Sequence, residues 1–161
     1  NKNKYECFIA NDNSKGQIVL SGNVADLEKM MIDLKSKNIK NIKLPVSAPF
    51  HCNLMSNATK IMTNEINKLN FKQSQNKLIS NVTANEIENI NELRDLLIKQ
   101  IENRVRWRES VINMIKNGIN HFIEIGPGKV VSGLVKRIDR NVKIDSINNQ
   151  EDIEKLKIWM I

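Results

Sequence analysis

Apolar and polar positions along this chain switch between two periods. Tyr5 to Ala10 is a short apolar run and Gln17 to Ser21 is another. The cluster Asn11-Asp12-Asn13-Ser14-Lys15-Gly16 between them is turn-prone, so the pair predicts a β-hairpin. Gly22-Asn23 ends the second strand, and Val24, Leu27, Met30, Met31 and Leu34 then recur at helical spacing up to about Asn38, with Asn23 as N-cap. Asn41 to Val46 predicts a third strand. Strand, strand, helix, strand reads as the second half of a ferredoxin-like unit, whose first strand and helix would precede residue 1.

Beyond a proline-bounded turn the helical period returns. Leu54, Met55, Ala58, Ile61, Met62, Ile66 and Leu69 mark one face of a helix that starts within a residue or two of His51. Phe71 to Asn76 is polar and irregular, and Leu78 to Thr83 predicts a short strand closed by Ala84-Asn85. A helix from Asn89-Ile90 carries Ile90, Leu93, Leu96, Leu97 and Ile101 on its apolar face, which puts Gln100 near the buried edge. Another spans about Trp107 to Asn117 and stops at Gly118, a favoured helix-terminating residue. His121 to Ile125 reads as a strand, Gly126-Pro127-Gly128 as a turn, and Val130 to Ile138 as a helix with Lys136, Arg137 and Arg140 at its C-terminal end. Val142 to Ile144 and Glu151 to Met160 predict one more strand and helix. Alternating strands and helices argue for an α/β layer with parallel pairing, whose sites lie beyond the carboxyl ends of the strands.

Composition narrows the function classes. At 161 residues, 40% hydrophobic and 27% charged, the chain is long enough for one domain or a domain and a half with a real core. The net charge of +7 is scattered, which suits a solvated surface or an acidic protein partner. Nucleic-acid binding would want a basic stripe interleaved with aromatics, and none is visible. No apolar run approaches the roughly 18 residues of a membrane span. Cys7 and Cys52 lack metal-ligand spacing and read as reduced thiols.

Candidate chemistry concentrates at His51, on the turn Pro45-Val46-Ser47-Ala48-Pro49-Phe50. An imidazole titrates near neutral pH, so a histidine held between rigid elements can serve as a general base; the same residue can equally cap and pack against the helix start. Adjacent Cys52 points elsewhere from a helix start, which disfavours a thiol dyad. Gly126-Pro127-Gly128 lacks the spacing of phosphate and dinucleotide loops and reads as a tight turn. His121 opens a strand and reads as structural.

Five segments taken together carry more. Asn11-x-Asn13-Ser14-x-Gly16-Gln17-Ile18-Val19-x-Ser21-Gly22, Leu44 to Cys52, Ser80 to Ala84, Val105 to Val111 and Glu124 to Val130 stand in the order found in malonyl-CoA:acyl carrier protein transacylase, and the chain resembles the C-terminal part of that family. The resemblance implies an α/β fold in which residues 1–46 complete a ferredoxin-like small subdomain and 47–161 form part of an α/β-hydrolase-like acyltransferase subdomain. It implies malonyl transfer from coenzyme A to acyl carrier protein through an acyl-serine, in fatty acid biosynthesis. His51 matches the family's base, and the main-chain carbonyl of Gln100 the group that orients it. Phe50 matches a residue that would crowd an α-methyl branch, a clash worth about 1–3 kcal/mol. Asn11, Gln17 and Val46 match positions near the acyl pocket.

Partners implied by the resemblance are malonyl-CoA, an acyl carrier protein bearing phosphopantetheine, and the missing N-terminal half of the same enzyme; no metal or resident cofactor is implied. The chain contains no G-x-S-x-G elbow, so this stretch alone is expected not to turn over. The family's malonyl-binding arginine also belongs upstream, which removes Arg106 and Arg108 from that role. Two alternatives remain at this stage: a noncatalytic basic module that docks an acidic carrier, and an acyltransferase domain of a larger polyketide or fatty acid synthase. The Asn- and Lys-rich composition points to an apicomplexan plastid, with bacterial cytoplasm or mitochondrial matrix as the other compartments.

Overall fold

A computed structural model describes residues 5–157. Strands β1 (Cys7–Ser14) and β2 (Gln17–Gly22) pair antiparallel around Lys15-Gly16, where Gly16 adopts the left-handed conformation (φ 80°) that a tight hairpin requires. The cluster Asn11 to Ser14, expected as turn, is therefore strand. Its reason is tertiary: Asp12 N–H donates to the Val105 carbonyl (2.9 Å) and Val105 N–H to that of Ala10 (2.8 Å), so a second neighbour satisfies this backbone. Register shifts after Ile9 and after Asp12 accommodate the irregular residues.

Helix α1 (Val24–Ser36) starts where Asn23 Oδ1 accepts the Ala25 N–H at 3.0 Å. It ends on Asn38 (φ 58°), with Asn38 N–H on the Lys35 carbonyl and Ile39 N–H on that of Leu34, both 2.9 Å, the double bond pattern of a left-handed cap. The strand expected at Asn41 to Val46 does not form. That segment has no ladder partner among the described residues, Pro45 has no N–H to offer, and Ile42, Leu44 and Val46 are all exposed.

A single 3-10 turn, Asn53–Met55, leads from the His51 turn into α2 (Ser56–Lys68). Only Ile66 of α2 is buried; Ile61 and Met62, expected on a core face, are exposed. The strand expected at Leu78 to Thr83 reduces to one bridge between Ile79 and Glu86. Past it, Ser80 Oγ accepts from Val82 and Thr83 N–H (3.1 and 3.4 Å), a local turn that competes with a ladder, and Ala84 follows in the left-handed region.

The rest follows the period. Helix α3 (Ile90–Lys99) has Asn89 as N-cap, accepting from Glu92 N–H at 3.0 Å, while Glu92 accepts from Glu88 N–H in return. Helix α4 (Trp107–Lys116) closes on Gly118 (φ 90°). Strands β3 (His121–Ile125) and β4 (Lys143–Ile147) pair parallel in register His121 to Lys143 through Ile125 to Ile147, joined by helix α5 (Val130–Ile138). β4 thus lies one residue later and runs three further than expected. Helix α6 (Gln150–Lys157) packs on β4; the remainder of the helix expected to Met160 lies outside the described residues. The core, Val111, Val135 and Val142 with Trp107, Met114, Phe122 and Ile138 packed around it, joins α4 and α5 to the parallel pair. The fold is α/β, and β1 packs directly against α4 and α5.

The Gly126-Pro127-Gly128 turn is a tight turn into α5, with both glycines at positive φ. The α5 N-terminus is not open to an anion, because Glu124 at the end of β3 already accepts from the N–H groups of Val131 (3.1 Å) and Ser132 (2.7 Å). Hydrogen bonds from the Ser132 side chain and backbone, and from Val131, hold the Glu124 carboxyl below the usual carboxylate range. A depressed folded-state value stabilises the fold above the unfolded-state pKa and is lost as pH falls through the folded value. Glu124→Gln is accordingly expected to lower the thermal midpoint at neutral pH. The gap to the parent should shrink on acidification below about pH 4, which melting curves across pH would measure.

Candidate active site

His51 sits in the left-handed region (φ 62°), uncommon for a residue with a side chain, so surrounding contacts must hold it there. They come from the end of α3. The residues after Lys99 supply donors to the Leu96, Ile98 and Lys99 carbonyls, and the next two carbonyls, of Gln100 and Ile101, find theirs on His51. His51 Nδ1 lies 2.9 Å from the Gln100 carbonyl oxygen, and the His51 backbone N–H donates to the Ile101 carbonyl at 3.2 Å. A carbonyl can only accept, so Nδ1 carries the proton and Nε2 is left with its lone pair. Nε2 makes no hydrogen bond among the described residues. The ring is half-buried.

The neighbouring residues secure the same turn. Phe50 N–H donates to the Ala48 carbonyl at 3.0 Å, and the Phe50 ring is 47% exposed, which leaves it free to meet a ligand or another surface. Cys52 is 2% exposed with its Sγ on the Pro49 carbonyl at 3.1 Å, a packing role and not a reactive one. The Gln100 side chain accepts from Asn81 Nδ2 at 3.4 Å, and the Asn81 carbonyl accepts from Arg106 N–H at 2.9 Å, tying the Ser80-to-Ala84 segment to the helix end.

The other three residues expected near a pocket make the following contacts. Asn11 bridges in parallel to Val105, Gln17 accepts a hydrogen bond from Arg137 of α5, and Val46 is exposed on the irregular loop before the turn. No hydrogen bond joins any of them to His51 among the described residues. His121 Nε2 lies 2.6 Å from Asp145 Oδ2 on the adjacent strand. No group of three or more His, Cys, Asp or Glu side chains forms a metal site, and no helix is long and apolar enough to cross a membrane, among the described residues.

Residues the period could not single out are the charges gathered around the start of α4. Asp12, almost wholly buried on β1, accepts from Arg108 Nη2 at 2.7 Å. Arg106 binds Glu109 through Nε (2.9 Å) and Nη2, and reaches the Thr83 and Val82 carbonyls at 3.2 and 3.4 Å; Arg104 adds a further contact to Glu109 at 3.3 Å. Hydrogen bonding between them holds the Glu109 carboxyl low and the Arg106 guanidinium high. Both Arg106 and Arg108 are therefore engaged within the fold.

The chain is similar in sequence and fold to known proteins. The chain is 38% identical over 147 residues to a malonyl CoA-acyl carrier protein transacylase of Bacillus subtilis (strain 168), covering 91% of this chain and 46% of that protein. It superposes on an acyl-carrier-protein-S-malonyltransferase of Bartonella henselae with a TM-score of 0.90 at 38% identity, over 96% of this chain and 50% of the other. A second solved structure, a type II PKS acyl-carrier protein in complex with its malonyl-transacylase, matches at 29% identity and a TM-score of 0.89, over 95% and 50%. No family model matches. The chain spans about half the length of the relatives it matches, and over that half it is similar to malonyl CoA-acyl carrier protein transacylases.

The Asp12–Arg108 pair bears on stability. Removing the arginine strands a carboxylate that is only 9% exposed, so Arg108→Met is expected to cost about 1–3 kcal/mol in urea unfolding.

Proposed function

We propose that this chain forms the base-bearing half of an [acyl-carrier-protein] S-malonyltransferase, with His51 as general base. The observation that carries the reading is the 2.9 Å contact of His51 Nδ1 with the Gln100 carbonyl. That contact fixes the tautomer in which Nε2 can accept a proton, and it stays favourable when the ring becomes charged, because an imidazolium Nδ1–H faces the negative end of a helix.

The chemistry follows from those two nitrogens. A serine hydroxyl is a weak nucleophile until its proton is taken; Nε2 takes it as oxygen attacks the thioester carbonyl of malonyl-CoA. The charged ring then returns the proton to the departing coenzyme A thiolate. In the second half-reaction Nε2 accepts the proton of a carrier protein's phosphopantetheine thiol, which attacks the acyl-serine; collapse of the tetrahedral adduct releases malonyl thioester and the serine regains its proton from the ring. Serine and oxyanion-hole donors would come from the half of the enzyme outside this sequence, since no G-x-S-x-G occurs in it. Phe50, joined directly to His51 and exposed on the same turn, is read as the residue whose bulk would disfavour an α-methyl branch on the incoming acyl group. The charge of +7 favours an acidic partner such as a carrier protein, and one similar structure is of a malonyl-transacylase with its acyl-carrier protein.

Two outcomes test the reading in the full-length protein that carries this chain. His51→Ala should reduce malonyl transfer at least about a thousandfold with the circular dichroism spectrum retained; near-parental turnover overturns the assignment. Phe50→Ser should raise the rate with methylmalonyl-CoA relative to malonyl-CoA by roughly tenfold, in a competition assay, while unchanged selectivity removes Phe50 from the acyl pocket.

A further inference from the structure

The peptide unit between Phe50 and His51 is held on both of its edges. Its N–H donates to the Ile101 carbonyl at 3.2 Å, as described above. Its oxygen accepts a 2.6 Å hydrogen bond from Ser21 Oγ on β2, a side chain distant in sequence and only 8% exposed. A carbonyl cannot donate, so the serine hydroxyl must, and burial leaves it little exchange with water. In a trans peptide the C=O and N–H point in opposite directions. The plane is thus clamped between the hairpin on one side and the α3 terminus on the other.

Where the His51 ring lies depends on that plane. Rotation about N–Cα sets the direction in which Cβ leaves the backbone, and the left-handed value at His51 is one the chain would abandon without support. Hydrogen bonds to one edge alone would leave the unit free to rock about that edge. The same plane begins at the Phe50 Cα, so it also aims the Phe50 ring. We propose that Ser21 is a positioning residue of the transferase site: its hydroxyl, through the Phe50 carbonyl, fixes together the orientation of the base and that of the acyl-selecting aromatic. The proposal rests on the reading of His51 as base.

The hairpin acquires a function in this account. Its second strand carries Ser21 next to Gly22, where a Cβ would stand 2.4 Å from the Glu6 carbonyl oxygen, so β2 packs closely on the backbone at Glu6. A hydroxyl borne there is a fixed point against which the His51 turn is registered. No apolar side chain of the same size could replace it, because the Phe50 oxygen would then lose its donor.

The test compares Ser21→Ala, Ser21→Thr and His51→Ala in the full-length protein that carries this chain. Ser21→Ala should lower kcat about tenfold with KM for malonyl-CoA nearly unchanged, and narrow the preference over methylmalonyl-CoA; Ser21→Thr, which keeps the hydroxyl, should recover at least half of the rate. The His51 Nδ1–H resonance, assigned by its absence in His51→Ala, should broaden or shift in Ser21→Ala and return in Ser21→Thr. Parental turnover and an unmoved ring signal in Ser21→Ala overturn the positioning role while leaving the base assignment intact. Loss of activity in Ser21→Ala that tracks a lowered melting temperature with the ring signal unmoved also overturns it. If His51→Ala itself turns over, the site reading fails instead, and with it a catalytic role for the clamp.

Discussion

The constraint on which the site depends is the end of a helix. α3 is a short helix of ordinary amphipathic pattern; the turn after Lys99 serves its Leu96, Ile98 and Lys99 carbonyls, and the next two, of Gln100 and Ile101, must find donors elsewhere. In an exposed helix water would supply them. Here the His51 turn supplies them, one from the ring and one from the backbone, and the exchange fixes both partners at once. The acceptor that orients the imidazole is therefore a main-chain group. A carboxylate in that place would hold the same tautomer but would bring a charge that burial penalises, whereas a helix-terminal carbonyl offers partial negative charge already paid for by the helix. The identity of the residue at position 100 matters less than the fact that the helix stops there.

Holding that helix end in place falls to the connection between α3 and α4. Val105 exchanges two backbone hydrogen bonds with β1, Arg108 neutralises the buried Asp12 on the same strand, and Arg106 binds the Val82 and Thr83 carbonyls while locked to Glu109. Three arginines in five residues would read as a basic patch from charge alone. Each instead fastens a different segment to the α4 N-terminus. Because the guanidinium is planar and offers several donors, one Arg106 side chain can serve a carboxylate and two carbonyls together. The result is that β1, the Ser80-to-Ala84 turn and the end of α3 share one rigid reference.

Much of this was legible in the residues. The α1, α3, α4 and α5 helices, the hairpin and the β3–β4 alternation follow from periodicity, and Asn23, Gly16 and Gly118 announced their turns and caps by chemistry that only a few residue types can perform. What misled was local propensity where distant partners decide. Asn11 to Ser14 is turn-prone in isolation and becomes strand because Val105 pairs with it. Leu78 to Thr83 is strand-prone and becomes a turn because Ser80 Oγ satisfies the next N–H groups itself. The pairing of His51 with Gln100 is unreadable by any period, since a main-chain carbonyl leaves no trace in residue identity; only resemblance to a family pointed there. Ser21 stands within one of the matching segments, but its bond to the Phe50 carbonyl is unreadable for the same reason.

The burial of apolar side chains completes the argument. Parallel strands are found almost wholly within layers covered on both faces, yet β3 and β4 stand as a pair among the described residues, with Ile123 42% and Ile125 79% exposed and Val130, at the start of α5, at 73%. Ile61 and Met62 of α2 are exposed as well, and so is Phe50 at the site. These side chains obey the periodicity of a core and lack the material to make one. The proposed chemistry stands the same way: His51 with its tautomer set, read as a base, would need an activated serine, and no G-x-S-x-G elbow occurs in this sequence. On that reading, packing and catalysis are short of the same thing. A surface that supplied helices to cover Ile125 and α2 could, in the same act, bring a hydroxyl to His51 Nε2, which makes the assembly of the fold and the assembly of the active site one event rather than two.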